Sequence, residues 1–532
     1  MYSGNQPIII LQKNTVRERG EEALIDNINA AKAIADSIRS TLGPKGMDKM
    51  MVDDKGDVII TNDGATILKD LDIVHPAAKM MVEVAETQDE VCGDGTTSAV
   101  VLAGELLKRS EDMIGRIHTS TITRGYRMAT DKVIEYLDEM KYQFSEKDKK
   151  MLKNIAKTAL TGKSMEANKE ILEDIAVESV LSITDEEKGK IHIDLDNIKM
   201  IKKAGGSMSD TAMVDGLVIE KERALESMPS KVDKPKVAVL SSPLKQKKTG
   251  VKASIGIKDP KQIEKFLAQE ETTIRKMVDS IRDVGARVLF CEKEIDEVAM
   301  EYLAKAGIFA VEKVDEDDIK LLCRALGAQT VSNLSDIRSA DLGECDTVYQ
   351  KYVSGSYYVF IKGTKTKKAV TILLRGGTIH VVDEMERSLK DALKVVSLAV
   401  EENTLLPGGG ALEVELSLRL RDYAGTVGGR EQLAIESFAN ALQIIPKTIA
   451  NNAGLNGLDL VMELTSRHKA GETNCGMDVE RGEIQDSIEG GIVEPYKVKE
   501  QAIKSAVEAA NMVLRIDDII ASRGGVGIAD EE

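Results

Sequence analysis

Apolar positions recur at helical spacing over residues 21–42, 77–90 and 98–113, so the first third of the chain is mostly helical. The first of these patterns stops at Gly43-Pro44-Lys45-Gly46, a turn that a helix does not cross. Two short strand patterns, 50–52 and 57–61, flank Asp53-Asp54-Lys55-Gly56 and predict a hairpin with a polar tip. Residues 8–11 (Ile-Ile-Ile-Leu) form a lone strand candidate with no mate nearby, which points to pairing with a neighbouring subunit. The middle of the chain changes character. Short apolar strands at 236–240, 287–291 and 308–311 alternate with helical patterns at 259–284, 294–306 and 316–326, which predicts an α/β domain of its own. Asp259 as cap, Pro260 at the first turn and Gly285 as stop bound the longest of these helices. The preceding stretch, 241–258, is polar and rich in lysine, an excursion from the domain body. The last third returns to helices and glycine turns. Helical chain ends around an α/β middle predict one domain assembled from both termini.

Composition adds limits. With 532 residues, the chain is long enough for about three domains. Aromatic residues are 3% and Trp is absent, so the cores are built from Ile, Val, Leu, Ala and 21 Met. The net charge of −17 argues against nucleic acid as a partner, because phosphate binding needs a basic face. No apolar run approaches the ~20 residues of a membrane span, and no signal pattern opens the chain. The expected location is the cytoplasm. Five scattered cysteines without a CxxC and five scattered histidines give neither a disulfide framework nor zinc-ligand spacing.

The candidate chemistry centres on Gly93-Asp94-Gly95-Thr96-Thr97-Ser98, between two helical patterns. Glycines let the backbone turn sharply, and the free N–H groups that open the second helix attract anions. Asp94 would repel a bare phosphate, but it can hold a divalent cation that bridges to one. The plainer alternative is a capped helix start. Thr61-Asn62-Asp63-Gly64 reads as an Asx turn, and Pro407-Gly408-Gly409-Gly410 as bare backbone suited to a flat or charged ligand, or as a loop. Gly162-Lys163-Ser164 imitates the end of a P-loop, but Lys157 stands where the upstream glycine is required, so no Walker A motif is assigned. Lys163 can still meet a γ-phosphate as a point charge. Asp391 lies off the apolar stripe formed by Met385, Leu389, Ala392, Leu393, Val396, Ala399 and Val400. It is either a solvated surface carboxylate or a group that orients or deprotonates an attacking water.

The ordered set Thr41-Leu42-Gly43-Pro44-Lys45-Gly46-Met47-Asp48-Lys49-Met50, Thr61-Asn62-Asp63-Gly64-Ala65-Thr66, His75-Pro76-Ala77-Ala78-Lys79-Met80 and the GDGTT turn resembles the group II chaperonins, the archaeal thermosomes and their eukaryotic cytosolic relatives. The likeness runs on through Leu374-Arg375-Gly376-Gly377-Thr378 and Pro407–Gly410 to Glu494-Pro495 and Leu514-Arg515-Ile516-Asp517-Asp518. It implies a multidomain α+β fold. A mostly helical equatorial domain would comprise 1–150 and 405–532, and a small intermediate domain 151–216 and 370–404. An α/β apical domain would fill 217–369, with a built-in helical lid at about 241–284. The implied activity is ATP hydrolysis that drives closure of a chamber around unfolded client proteins. The implied assembly is two stacked rings of identical or related subunits, roughly sixteen in all, with no separate cap protein.

The resemblance also implies roles. Leu42, Gly43 and Pro44 would line the nucleotide, and Asp94 would bind Mg²⁺. Gly95, Thr96, Thr97 and Ser98 would hold phosphates. Asp63 and Asp391 would manage the attacking water and the metal shell, and Lys163 would sense the γ-phosphate. Gly409 would lie near the sugar or base, and Glu494 near the ribose. ATP and Mg²⁺ are the implied cofactors, with K⁺ as a further ion. Asn403 stands where a glycine is usual, and Asn tolerates the left-handed conformation. The competing reading is a passive ring-forming holdase or scaffold with little ATP turnover. Retention of Asp63, Asp94 and Asp391 together argues against it.

Overall fold

The structure, a computed structural model, describes residues 15–52, 56, 58–162, 169–187, 189–245, 260–353, 355–364 and 369–522. The chain divides into two compact units, Met1–Val177 with Asp383–Glu532, and Glu178–Val382. The first unit is therefore assembled from both chain ends around an inserted middle. The stretches expected as an intermediate domain, 151–216 and 370–404, are each split by this division.

In the first unit, helices Glu21–Arg39, Pro76–Cys92, Thr96–Glu111, Thr119–Met140, Ala411–Val427, Gly429–Leu442 and Tyr496–Val513 share one aliphatic core around Ile28, Leu106, Phe438 and Ala510. Small residues allow one close helix crossing. A Cβ on Gly104 would lie 2.3 Å from Ala35 Cβ, so the Glu21–Arg39 and Thr96–Glu111 helices meet backbone to backbone. Tyr126, one of the few buried aromatics, packs edge-on against Phe438 at 5.8 Å and donates its hydroxyl to the Leu106 carbonyl. The helical pattern expected over 21–42 ends at Arg39, because Ser40 to Leu42 already form the turn before Gly43.

Short strands complete this unit. Lys49–Val52 and Val58–Thr61 form the expected antiparallel hairpin. Thr15–Arg19 pairs antiparallel with Asp518–Ser522, which ties the two chain ends together. The strand candidate at 8–11 lies outside the described residues. Val493–Pro495, Thr404–Pro407 and Tyr142–Gln143 make a three-stranded sheet beneath the glycine-rich segment that follows Pro407.

The second unit carries a ten-stranded mixed sheet. Its three expected strands, Lys236–Leu240, Val288–Cys291 and Phe309–Val311, lie side by side in parallel. Val237 and Val239 enter one core cluster with the Glu316–Leu326 helix, whereas Ala238 and Leu240 enter another with the Pro260–Asp283 and Glu297–Lys305 helices. The period of two thus buries both faces, as a parallel sheet requires. The helix expected from 294 begins at Glu297, because the Asp296 side chain accepts from Val298 N and fixes the cap there. Asp259 lies outside the described residues, as does most of the polar excursion at 241–258. Among the described residues no helix is long and apolar enough to cross a membrane.

Candidate functional site

The glycine-rich turns of the first unit converge on one cleft of about 290 Å³. The Pro76–Cys92 helix ends at Gly93, left-handed at φ 70°, and the next helix opens at Gly95, left-handed at φ 78°. A side chain at Gly95 would also press on Gln88 and Val498. No side chain caps the Thr96–Glu111 helix. Its first amides are therefore free for a ligand, at the positive end of the helix. Between the two glycines, Asp94 Oδ1 accepts from Gly95 N at 2.7 Å, and the Asp94 carbonyl accepts from Gln88 Nε2 at 2.7 Å.

Asp63 comes from the turn after the hairpin. Its Oδ2 caps the Gly64–Asp70 helix, accepting from Thr66 N at 2.8 Å and Thr66 Oγ1 at 2.7 Å. Its Oδ1 receives Thr96 Oγ1 at 3.4 Å, which links the two turns. Gly64 has to be bare, because a Cβ there would lie 2.6 Å from Thr97 Oγ1. On the other side, the Leu42 carbonyl is pinned by Asn452 Nδ2 at 2.8 Å.

Asp391 arrives from the Ile379–Glu402 helix. Arg387, Asp391 and Lys394, at i, i+4 and i+7, share one face. Arg387 Nη2 donates to the Ile60 carbonyl at 3.4 Å, and Lys394 Nζ donates to the Asp89 carbonyl at 2.7 Å. Asp391 lies between these two anchors, and it lines the cleft with Asp63 and Asp94. Asp391 is half-buried there.

The far wall is built by Gly409, Gly410, Met477 and the turn that follows Asp478. Gly409 adopts φ 65°, and a Cβ on it would lie 2.7 Å from the Met477 carbonyl. Glu494 closes the floor from strand Val493–Pro495. Burial pushes its carboxyl above the usual range, and Glu413 and Asp94 push the same way against the opposing Lys499 ammonium. Cys92, next to Gly93, is an inert thiol, pushed up to about 12 by burial.

Leu42, Gly43, Pro44, Asp63, Asp94, Gly95, Thr96, Thr97, Ser98, Asp391, Gly409 and Glu494 all line this single cleft. Lys163 lies outside the described residues, although Gly162 beside it lines the cleft and packs against the Gly43 carbonyl. Asn62, named in the sequence only as part of an Asx turn, lines it too, as do Asn154, Thr158, Asp478, Glu480, Arg481 and Lys499, which the sequence did not mark as site residues. Those on 154–158 are one turn apart, a weak signal that a wheel of the Lys149–Leu160 helix carries.

Among the described residues, six acids (Asp63, Asp94, Asp391, Asp478, Glu480, Glu494) and three bases (Lys157, Arg481, Lys499) line the cleft. Such a surface repels a bare polyphosphate and suits one accompanied by a divalent cation. Among the described residues no group of three or more His, Cys, Asp or Glu forms a metal cage. Mg²⁺ needs none, since one or two carboxylates, phosphate oxygens and water complete its shell.

A family model described as the TCP-1/cpn60 chaperonin family matches residues 34–523. The chain belongs to this family. A thermosome subunit of Methanopyrus kandleri is 50% identical over 525 residues, covering 98% of this chain and 96% of that one. The thermosome alpha subunit of Archaeoglobus fulgidus is 50% identical over 97% of this chain and 95% of its own length. Among solved structures, the open-state monomer of a group II chaperonin from Methanococcoides burtonii aligns with a TM-score of 0.61 at 42% identity, covering 80% of this chain and all of that one. The chain is thus a group II chaperonin subunit, with the multidomain α+β architecture of that group.

Proposed function

We propose that this chaperonin subunit hydrolyses ATP and uses the reaction to drive closure around unfolded client proteins. The observation that carries the reading is the convergence of Asp63, Asp94 and Asp391, from three separate elements, on a cleft opened by the uncapped Thr96–Glu111 helix. The free amides of Thr96 to Ser98, with the Thr96, Thr97 and Ser98 hydroxyls, would bind phosphate oxygens where the backbone turns at Gly95, and Asp94 would hold Mg²⁺. When bound, Mg²⁺ supplies neutralisation of phosphate charge. Asp63, tied down by three donors, is suited to orient a water rather than to swing with it. Asp391, whose helix is anchored above and below it, would accept that water's proton.

The same reading gives the cytoplasm as the location and two rings of identical or related subunits as the assembly. The three-domain division, with a lid built into the second unit, belongs to it as well. The test is recovery of a chemically denatured client protein by the assembled particle. Folded client released only with Mg²⁺ and ATP supports the folding machine. Equal protection from aggregation with and without ATP, and no release, supports the passive holdase instead.

A further inference from the structure

Beneath the cleft lies a buried ionic triad that the phosphate chemistry does not use. Lys499 Nζ sits 3.0 Å from Glu494 Oε2 and 2.8 Å from Glu413 Oε1. The three come from different elements: strand Val493–Pro495, the first turns of helix Tyr496–Val513, and the first turn of helix Ala411–Val427. Lys499 and Glu413 are almost fully enclosed, with side-chain exposures of 10% and 6%, whereas Glu494 retains 20% toward the cleft. Two carboxylates face one ammonium, and Glu413 Oε2 is buried without a hydrogen-bond partner. Such a group is costly to bury, and an apolar trio of similar volume would pack there at lower cost.

The geometry gives the arrangement a use. Glu494 is anchored by strand pairing with Leu406, and Lys499 holds its Oε2 from below. The other oxygen, Oε1, lies against Gly408, where an added Cβ would come within 3.2 Å of it. Gly408 is itself fixed, its N–H donating to the Ile492 carbonyl and its carbonyl accepting from Ser487 Oγ. A glutamate with one oxygen clamped and the other beside bare backbone is a preorganised acceptor for neutral hydroxyl donors. Among the parts of a nucleotide, the sugar supplies adjacent hydroxyls. Clamping Lys499 between two acids also keeps its ammonium from reaching for phosphate.

We propose that Lys499, held by Glu413, is a positioning residue that fixes Glu494 as the acceptor for the sugar hydroxyls, and so makes the cleft selective for ribonucleotides over deoxyribonucleotides. This inference rests on the reading of the cleft as a nucleotide site.

The test measures dissociation constants of the assembled particle, with Mg²⁺, for ADP, 2′,3′-dideoxy-ADP and inorganic tripolyphosphate. A hydrogen bond to a charged acceptor predicts that the native particle binds ADP roughly tenfold or more tighter than the dideoxy analogue. Lys499→Met should bring that ratio close to one and leave tripolyphosphate affinity as it was, and Lys499→Arg should restore the ratio. Because Lys499→Met strands two buried carboxylates, the double variant Lys499→Met/Glu413→Gln removes one charge of each sign and should show the same loss of sugar selectivity in an intact particle. A ratio that survives in the double variant overturns the proposal. So does an equal weakening of all three ligands, which is the mark of a merely structural role, and so does a native ratio near one. If the native particle binds tripolyphosphate but neither nucleotide, or none of the three, the nucleotide reading itself falls and this inference falls with it.

Discussion

Individual side chains carry the site's chemistry, and their constraints come from the backbone beneath them. Asp391 is set by two neighbours on its own helix, Arg387 and Lys394, which grip the Ile60 and Asp89 carbonyls. In the sequence it stood out as a carboxylate off an apolar helical stripe with two readings open, and the resemblance favoured the chemical one. Asn403 behaves as read from its residue type, turning the chain at φ 55° where the helix ends. Lys499 shows the opposite limit. Its partners Glu494 and Glu413 lie 5 and 86 positions away, and no periodicity links them. Another buried pair gives a prediction. Glu415 accepts from His468 Nδ1 at 2.9 Å and from Arg419 Nε at 2.8 Å. Burial raises the Glu415 carboxyl, and these two partners together outweigh it, so the group is held below its usual value of 4.5. A depressed carboxyl stabilises the fold above its unfolded value and loses that contribution as pH falls through its folded value. Glu415→Gln should therefore cost about 1–3 kcal/mol near neutral pH, and the gap to wild type should narrow below about pH 4. Denaturant melts across pH measure it; a gap independent of pH contradicts the assignment.

Elements were legible where their pattern was long or their caps were marked. The parallel strands Lys236–Leu240, Val288–Cys291 and Phe309–Val311 stood out as apolar runs because both of their faces are buried. The long hairpin Gly343–Val353/Ser356–Thr364 was not found. Its exposed positions carry Lys351, Lys362 and the paired tyrosines Tyr352 and Tyr357, which blur the alternation. Tyr142–Gln143 and Thr404–Pro407 carry no apolar run or alternation that marks them, yet they support the cleft floor. The hairpin Lys49–Val52/Val58–Thr61 was read correctly, and it leaves Met50 67% and Val52 63% exposed. Among the described residues it pairs with no third strand. Covering such a side chain in a neighbouring subunit is worth about 1.5–3 kcal/mol. Val52→Lys should accordingly shift the particle toward free subunits in sedimentation velocity, with far-UV circular dichroism unchanged. A full-size particle at low concentration would show that this hairpin face lies outside the ring contacts.

At the scale of the whole molecule, one unit is built from both chain ends and holds the entire cleft, while the inserted middle forms the second unit. Helical ends around an α/β middle made that insertion readable from patterning alone. The position of the division was not readable, because it falls inside the continuous helices Lys169–Ile183 and Ile379–Glu402. No change of period marks it. The arrangement places the helix of Asp391 at the point where the chain passes from one unit to the other, so the group proposed to accept the water's proton is, of the described cleft-lining residues, the nearest in sequence to that crossing. Chemistry and movement would then share one element. The direct test of that claim is ATP turnover by the purified, assembled particle beside its Asp391→Ala variant. The account predicts Mg²⁺-dependent turnover in the wild type, lost by a factor of roughly 10² or more in the variant, with assembly and nucleotide binding retained. Equal turnover in both, or none in the wild-type particle, would contradict it.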